Sequence, residues 1–456
     1  MKDDYLKVYV LCAVTLSSFL APFMGSSINV ALPLMGESLN MGPSQQTWVI
    51  TAFLLTANVF LLPFGRLSEI YGIKRLFISG NIIFITASVL CAMAPDATSI
   101  ILFRAFQGIG ASMVLVTRLS LISMVFPASE RGRAIGVNTA AIDMGLFAGP
   151  ILGGFLAEIM GWESIFLFTV PVGILVVLIS LSRIDDEWMA GGSRKFDLEG
   201  SLTYCTSLFL FIQGFSTLAS IRGVLLLVLS FLAFSLFIKT EAQARNPLFN
   251  VELFKNRRFS FSSLEALVVF TSTFAVSLLL SYHLQYVRGL SPSASGLILI
   301  VQPLMMALIA PLAGRMADMV KPHILTSAGM VLIFMALMGF ATLGPDTPET
   351  AVIMGLMVLG TGMGLFSSPN TTKIMCSVKR DHAGVASATV TSVRLIGQAF
   401  SMGTVTLIFA FLMGSVSVSP ANYGILMEST RICFLLFGII CFIGLFATTI
   451  HRNSYK

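Results

Sequence analysis

Runs of about 20 apolar residues recur from one end of this chain to the other, and they constrain its fold more than any single motif. Six lie at roughly 8–34, 46–66, 76–95, 99–123, 134–158 and 163–183. Two follow at roughly 198–218 and 222–240, and six more at roughly 260–283, 295–318, 323–343, 350–374, 384–414 and 428–450. Fourteen such runs predict an all-α integral membrane protein, because a helix satisfies its own backbone hydrogen bonds inside hydrocarbon. Composition agrees. Of the 456 residues 56% are hydrophobic and 11% charged, and the mean hydropathy is +0.89, which leaves too little polar surface to cover a water-exposed globule. No polar block is long enough for a sizeable soluble domain. The first run is longer than a signal-peptide core and no clear small-residue cleavage site follows it, so it reads as a retained helix.

The formal charge of +6 and the pI near 9.1 need an explanation other than nucleic acid, and topology supplies one. An even number of spans puts both termini on one side. If that side is the cytoplasm, 22 of the 28 Lys and Arg fall on cytoplasmic segments, only Arg222, Arg288 and Arg431 lie outside, and Arg104, Arg118 and Arg394 fall within spans. The positive-inside rule supports this orientation. The six cysteines (Cys12, Cys91, Cys205, Cys376, Cys433, Cys441) sit in or beside spans and never at CxxC spacing, which argues against a zinc site or a disulfide framework.

The chain also repeats itself. Gly65-Arg66-Leu67-Ser68-Glu69 closes the second span and Gly314-Arg315-Met316-Ala317-Asp318 the tenth, an offset of 249. The Gly-Val pairs that open the fifth and thirteenth spans, at Gly136 and Gly384, are offset by 248. Two matches at nearly one spacing imply two homologous six-helix halves. The expected domains are therefore 1–183 and 259–456, with a two-helix insert and its loops at 184–258.

These features resemble the major facilitator superfamily, and within it the fourteen-helix drug:proton antiporter branch. The segment Gly65-Arg66-Leu67-Ser68-Glu69-Ile70-Tyr71-Gly72-Ile73-Lys74-Arg75 is similar to the family's cytoplasmic signature, with Glu69 in place of the usual Asp. Its glycines permit a tight turn, Glu69 can meet a neighbouring helix N-terminus, and Lys74 and Arg75 anchor the loop. In span four, Arg104-Ala105-Phe106-Gln107-Gly108 resembles the motif linked to proton coupling; an arginine there either faces a polar cavity or snorkels to the interface. In span five, Gly145-Leu146-Phe147-Ala148-Gly149-Pro150-Ile151-Leu152-Gly153-Gly154 resembles the antiporter signature. Gly145, Gly149 and Gly153 share one helix face, so a neighbour can pack closely, and Pro150 can bend the helix. Asn29-Val30-Ala31-Leu32-Pro33, Trp48, the stretch from Trp162 to Gly173, Phe196-Asp197-Leu198-Glu199-Gly200, Asn246-Pro247-Leu248, Leu253-Phe254 and Leu284-Gln285-Tyr286-Val287 resemble the same branch. The resemblance implies alternating access between two six-helix bundles, with the Gly65–Arg75 loop and its Gly314–Asp318 counterpart as conformational latches.

One departure matters. The branch carries an aspartate in span one ahead of the Asn-Val-Ala-Leu-Pro run, and here that position is Met24. Asp143 in span five and Arg118 in span four are ionisable where the family pattern does not demand it. Relative to the span centres Arg118 lies ~10 Å and Asp143 ~4–5 Å toward the cytoplasm, a gap an arginine side chain can bridge. They form either a charge-neutralising pair or a site in which Asp143 exchanges proton or substrate while Arg118 tunes it. Glu265 in span nine either faces a water-filled cleft or pairs with Arg257 or Arg258. His283, at the far end of that span, either titrates near neutrality or serves as a hydrogen-bonding group. Arg394 in span thirteen resembles a structural or cavity-lining arginine of the branch.

The expectation is a secondary active transporter that exports amphipathic drugs or toxic compounds in exchange for protons, with Asp143, Arg118, Arg104, Gln107, Asn29, Arg394 and Glu265 as coupling or substrate candidates. The alternative is a specific exporter of a metabolite or organic anion, which suits the loss of an acid at Met24 and the presence of Arg118. The chain has no HExxH, no GxSxG elbow and no GxxxxGK[ST] loop, so neither an intramembrane enzyme nor an ATPase is indicated. The sequence calls for no metal or cofactor. Its expected partners are a small-molecule substrate, protons and the lipid of a prokaryotic inner membrane, with a monomer crossing it and both termini cytoplasmic.

Overall fold

The computed structural model describes residues 2–184, 187–188, 197–218, 220–243, 255–378, 383–414 and 418–452. Among the described residues every regular element is helical. The helices are α1 (Lys2–Ser38), α2 (Pro43–Val59), α3 (Leu61–Tyr71), α4 (Ile73–Ala92), α5 (Ala97–Val125), α6 (Ala128–Met160), α7 (Glu163–Arg183), α8 (Leu198–Ser216), α9 (Ile221–Gln243), α10 (Arg257–Thr273), α11 (Val276–Tyr282), α12 (Pro292–Leu299), α13 (Val301–Met319), α14 (Pro322–Phe340), α15 (Glu349–Cys376), α16 (Ala383–Leu412) and α17 (Tyr423–Arg452), with a π-helical turn at His283–Val287. Short polar side chains cap several starts. Asp96 accepts from the Ser99 amide at 2.9 Å, Asp197 from Gly200 at 2.9 Å and Asn256 from Arg258 at 3.0 Å.

Among the described residues twelve helical stretches are long and apolar enough to cross a membrane, and the α2–α3 pair, bent by 46°, passes the same test jointly as a thirteenth. The remaining expected span, α8, is not among them. Its 19 residues include Glu199, Gln213 and several hydroxyl side chains, so the count of fourteen is not confirmed. Large side chains such as Leu225, Phe231 and Leu232 on α9 face outward, as lipid-solvated helices require.

The breaks have local causes. Pro63 has no amide to give the Val59 carbonyl, and the α2–α3 bend falls between them. The Cys205 thiol of α8 instead reaches that carbonyl at 3.3 Å, and the Tyr204 hydroxyl donates to the neighbouring Asn58 carbonyl at 3.4 Å. Between α10 and α11 the Ala275 amide donates to the Ser401 hydroxyl at 3.1 Å, which replaces the helical bond lost at the break.

The chain divides into two compact units, one of residues 1–41 and 45–249, the other of 250–456 with 42–44. In the first, Val10, Phe77, Val114, Leu121 and Val176 bring α1, α4, α5 and α7 into one apolar core, with Trp188 packed on it. The two insert helices pack on each other, where Ser230 donates to the Ser207 carbonyl at 2.8 Å. The internal repeat reappears as packing. A side chain at Gly80 of α4 would meet the Gly110 carbonyl of α5 at 2.9 Å, and one at Gly329 of α14 would meet the Gly362 carbonyl of α15 at 2.6 Å. Gly80 and Gly329 are again 249 apart.

Candidate functional site

Arg104 is 1% exposed two turns into α5, so its charge must be satisfied by protein. Its Nε donates to the Val49 carbonyl of α2 at 3.1 Å, one terminal nitrogen bonds the Gln107 side-chain oxygen one turn on, and its guanidinium lies 4.4 Å from the centroid of the Phe53 ring. Gln107 passes the chain onward. Its amide donates to the Ser88 hydroxyl of α4 at 2.7 Å, and the Thr169 hydroxyl of α7, which also bonds the Phe166 carbonyl at 2.7 Å, lies 3.2 Å from the same oxygen. Four helices are thus tied to one cation. A charge at a span centre costs about 2.5–3.5 kcal/mol by insertion scales. Hydrogen bonds to a charged group contribute about 1.5–3 kcal/mol each, and a desolvated cation–π contact about 2 kcal/mol, which offsets that cost without an ion pair. Arg104 is therefore an interior network residue rather than a snorkelling one. Ser88 and Thr169 carry no motif and could have been found only from their helical register.

The glycine-proline segment of α6 packs on α1. A Cβ at Gly145 would meet the Phe19 carbonyl at 2.7 Å, one at Gly149 the Phe23 carbonyl at 2.9 Å, and one at Gly153 the Ser27 Cα at 2.7 Å, so these positions tolerate no side chain. The Ser27 hydroxyl then donates to the Gly149 carbonyl at 3.0 Å. Gly154 and Pro150 are buried in the same segment, and Asn29 is buried on α1. Met24 is buried too, so the position where the branch carries an acid serves packing here. Beside this face a crevice is lined by Ser17, Ser18, Asn81 and Arg118, with Phe84 and Val114 as apolar walls. Ser17 donates to Asn81 at 2.7 Å. Asp143 is half-buried on α6, and the expected pairing of Asp143 with Arg118 remains a proposal.

Glu69 pairs with Arg66 in its own helix at 2.5 Å. The carboxylate that meets the N-terminus of α4 is Glu187, which accepts from the Lys74 amide at 2.9 Å and lies 3.6 Å from Arg75 Nε. The Ile73 amide donates to the Trp188 carbonyl at 3.0 Å. Gly72 has φ +111°, and a side chain there would enter the Glu187 carboxylate, so both conformation and contact require glycine. Gly65 makes only ordinary contact with Val116. Its counterpart Gly314 approaches Ser368 of α15, and the Asp318 side chain lies outside the described residues, as do Phe196, Asn246-Pro247-Leu248 and Leu253-Phe254.

In unit 2 a carboxylate and an ammonium are buried together. Glu265 Oε2 of α10 lies 2.5 Å from Lys373 Nζ of α15, with the side chains 7% and 19% exposed, and Lys373 also reaches the Thr326 hydroxyl of α14 at 3.4 Å. The partner is thus Lys373, where the sequence offered either a water-filled cleft or a pairing with Arg257 or Arg258. Those lie seven and eight residues back on the same helix, about 10–12 Å along its axis, beyond comfortable ion-pair reach. Lys373 lies 108 positions from Glu265 in the sequence, and no motif or periodicity joins the two. Nearby, Arg394 donates to the Thr371 hydroxyl at 2.8 Å and sits 5.2 Å from the Phe270 ring centroid, and Asn370 donates to the Ser262 carbonyl at 3.2 Å.

The family model of the Major Facilitator Superfamily matches residues 14–402. A riboflavin transporter of Clostridioides difficile is 29% identical over 448 residues, which cover 98% of this chain and 97% of that protein. The methylenomycin A resistance protein of Bacillus subtilis is 32% identical over 438 residues, 91% of this chain and 92% of that one, and the multidrug resistance protein Stp of Mycobacterium tuberculosis is 30% identical over 397 residues, 86% and 74%. Among solved structures, a POT family transporter superposes with TM-score 0.73 at 12% identity, covering 97% of this chain and 96% of that one. A bacterial homologue of the lysosomal transporter Spinster superposes with TM-score 0.68 at 17% identity, covering 96% and 95%.

Proposed function

The chain belongs to the major facilitator superfamily, and we propose that it exports amphipathic small molecules from the cell in exchange for protons, with Glu265 as a proton-carrying group. It is a transporter of the family's multidrug and resistance type, not an enzyme. The buried Glu265–Lys373 pair is the observation that carries the coupling assignment. Burial beside an ammonium makes protonation of Glu265 an event that changes the local charge balance, and a transporter needs such an event to link an ion gradient to substrate movement. Asp143 with Arg118 is a second candidate of the same kind in unit 1. Arg104 and Gln107 position helices around it, Arg394 lines the neighbourhood of Glu265, and the α1–α6 glycine face sets how closely those helices approach.

In this reading the chain crosses the membrane fourteen times, with α8 as the least apolar span, works by alternating access, has both termini in the cytoplasm and acts as a monomer. The positive-inside count supports the orientation.

A second reading is favoured by the end-to-end match to a riboflavin transporter: a carrier specific for one metabolite with an aromatic or anionic group. Arg118 beside the Ser17–Asn81 crevice supports it. Efflux from whole cells separates the two. With ethidium and riboflavin as probes, broad export predicts that a protonophore raises ethidium accumulation in cells carrying the protein, whereas the metabolite reading predicts an effect on riboflavin alone. Protonophore-insensitive accumulation of both would sink the coupling assignment. Asp143→Asn tests the second candidate acid: intact pH-driven export in that variant removes it from the coupling machinery.

A further inference from the structure

The end of unit 2 remote from Glu265 holds a pocket that the transport reading does not use. It is a shallow, open crevice among the π-turn at His283–Val287, the end of α14 and the start of α17. Apolar walls come from Phe340, Leu343 and Leu426, and the polar groups are His283, Thr430 and Arg431. His283 is 5% exposed, and its Nε2 is buried with no hydrogen-bond partner. An unmet polar nitrogen in such a place costs about 1–3 kcal/mol, so it calls for a partner, either a water or a ligand atom. The π-turn moves the side chain off the regular helical register, a feature found often at functional sites.

The charge at the rim fixes the ligand's sign. Arg431 is exposed and, among the described residues, forms no ion pair, not even with Glu428 one turn earlier on α17. The other nearby cation, Arg288, is already engaged by the Pro345 carbonyl at 3.0 Å and by Glu349 at 4.0 Å. Thr430 Oγ1 is bonded to the Leu426 carbonyl at 2.8 Å, so its hydrogen is used. What remains is one free guanidinium, one unmet imidazole nitrogen and an apolar wall.

We propose that this pocket is a binding site for a small amphipathic anion, whose carboxylate or phosphate bridges His283 Nε2 and Arg431 while its apolar body packs on Phe340, Leu343 and Leu426. The site lies within unit 2, and its assignment does not depend on the transport reading. The test is thermal unfolding of the full chain in phosphatidylcholine nanodiscs, titrated with benzoate and with its uncharged isostere benzamide. Benzoate should raise the unfolding midpoint saturably, with benzamide at least tenfold weaker. Arg431→Gln and His283→Leu should each weaken benzoate binding at least tenfold. Arg431 is exposed, so Arg431→Gln remains informative even where a change at the buried histidine harms folding. Repeating the titration in phosphatidylglycerol nanodiscs identifies the natural source: competition there points to a lipid headgroup, and its absence to a free solute. Equal binding of benzoate and benzamide, or undiminished benzoate binding by Arg431→Gln, overturns the assignment.

Discussion

Two cations, one in each half of a shared helical skeleton, are met in opposite ways. In unit 1, Arg104 is met by a carbonyl, an amide oxygen and an aromatic face, none of which can change charge. In unit 2, Lys373 is met by Glu265, which can. A guanidinium does not deprotonate in proteins, so the first arrangement is permanent and holds helices in place. In the proposed coupling role the second is a two-state element, because one proton converts an attractive pair into a lone ammonium. Where buried charge sits is thus less informative than whether its partner titrates.

Breaking the titratable pair should have the largest effect. Glu265→Gln leaves Lys373 as a buried, unpaired cation, with an expected loss of about 3–5 kcal/mol of stability. Glu265→Gln combined with Lys373→Gln should recover most of that loss without recovering pH-driven transport; unfolding midpoints and transport on the same preparations check both halves. Next comes Arg104→Lys, which gives up the planar fork and much of the ring contact. A loss of about 1–3 kcal/mol is expected, with the pH profile of transport unchanged, since no titrating partner is removed. A shifted pH profile in Arg104→Lys would erase the contrast between the halves. Gly149→Ala should cost a similar or smaller amount, about 1–3 kcal/mol, through forced separation of α6 from α1, read as a lowered unfolding midpoint.

The smallest effect concerns the Asp96 cap. Amide and hydroxyl donation from Ser99 holds this carboxyl below its ordinary value. A lowered folded-state value means that the stabilisation is present above the unfolded-state pKa and fades as pH falls through the folded one. Asp96→Ala should therefore flatten the acid side of the midpoint-against-pH curve and leave the neutral side parallel.

Much of this architecture was legible in the sequence. Apolar run length gave the spans, and the 249-residue offset that links Gly65 to Gly314 also links the packed glycines Gly80 and Gly329. That some helix packs closely on α6 followed from the four-residue spacing of Gly145, Gly149 and Gly153, but that it is α1 did not. What could not be read were partners remote in sequence. Lys373 lies 108 positions from Glu265, and Glu187 lies 113 from the Lys74 amide it caps, with no periodicity to join them. α8 escaped the hydropathy test for a related reason: its hydroxyl side chains lower the average, while Ser201 and Thr203 return their hydrogen bonds to the helix's own carbonyls.

The central claim is that Glu265 carries the coupled proton. Its most direct test is transport of a fluorescent cation such as ethidium into proteoliposomes, comparing pH-driven accumulation with substrate exchange at equal pH, for the native protein and for Glu265→Gln/Lys373→Gln. The account predicts that the double variant keeps exchange and loses pH-driven accumulation at least tenfold. Accumulation that persists at the native level while exchange is also intact would contradict it.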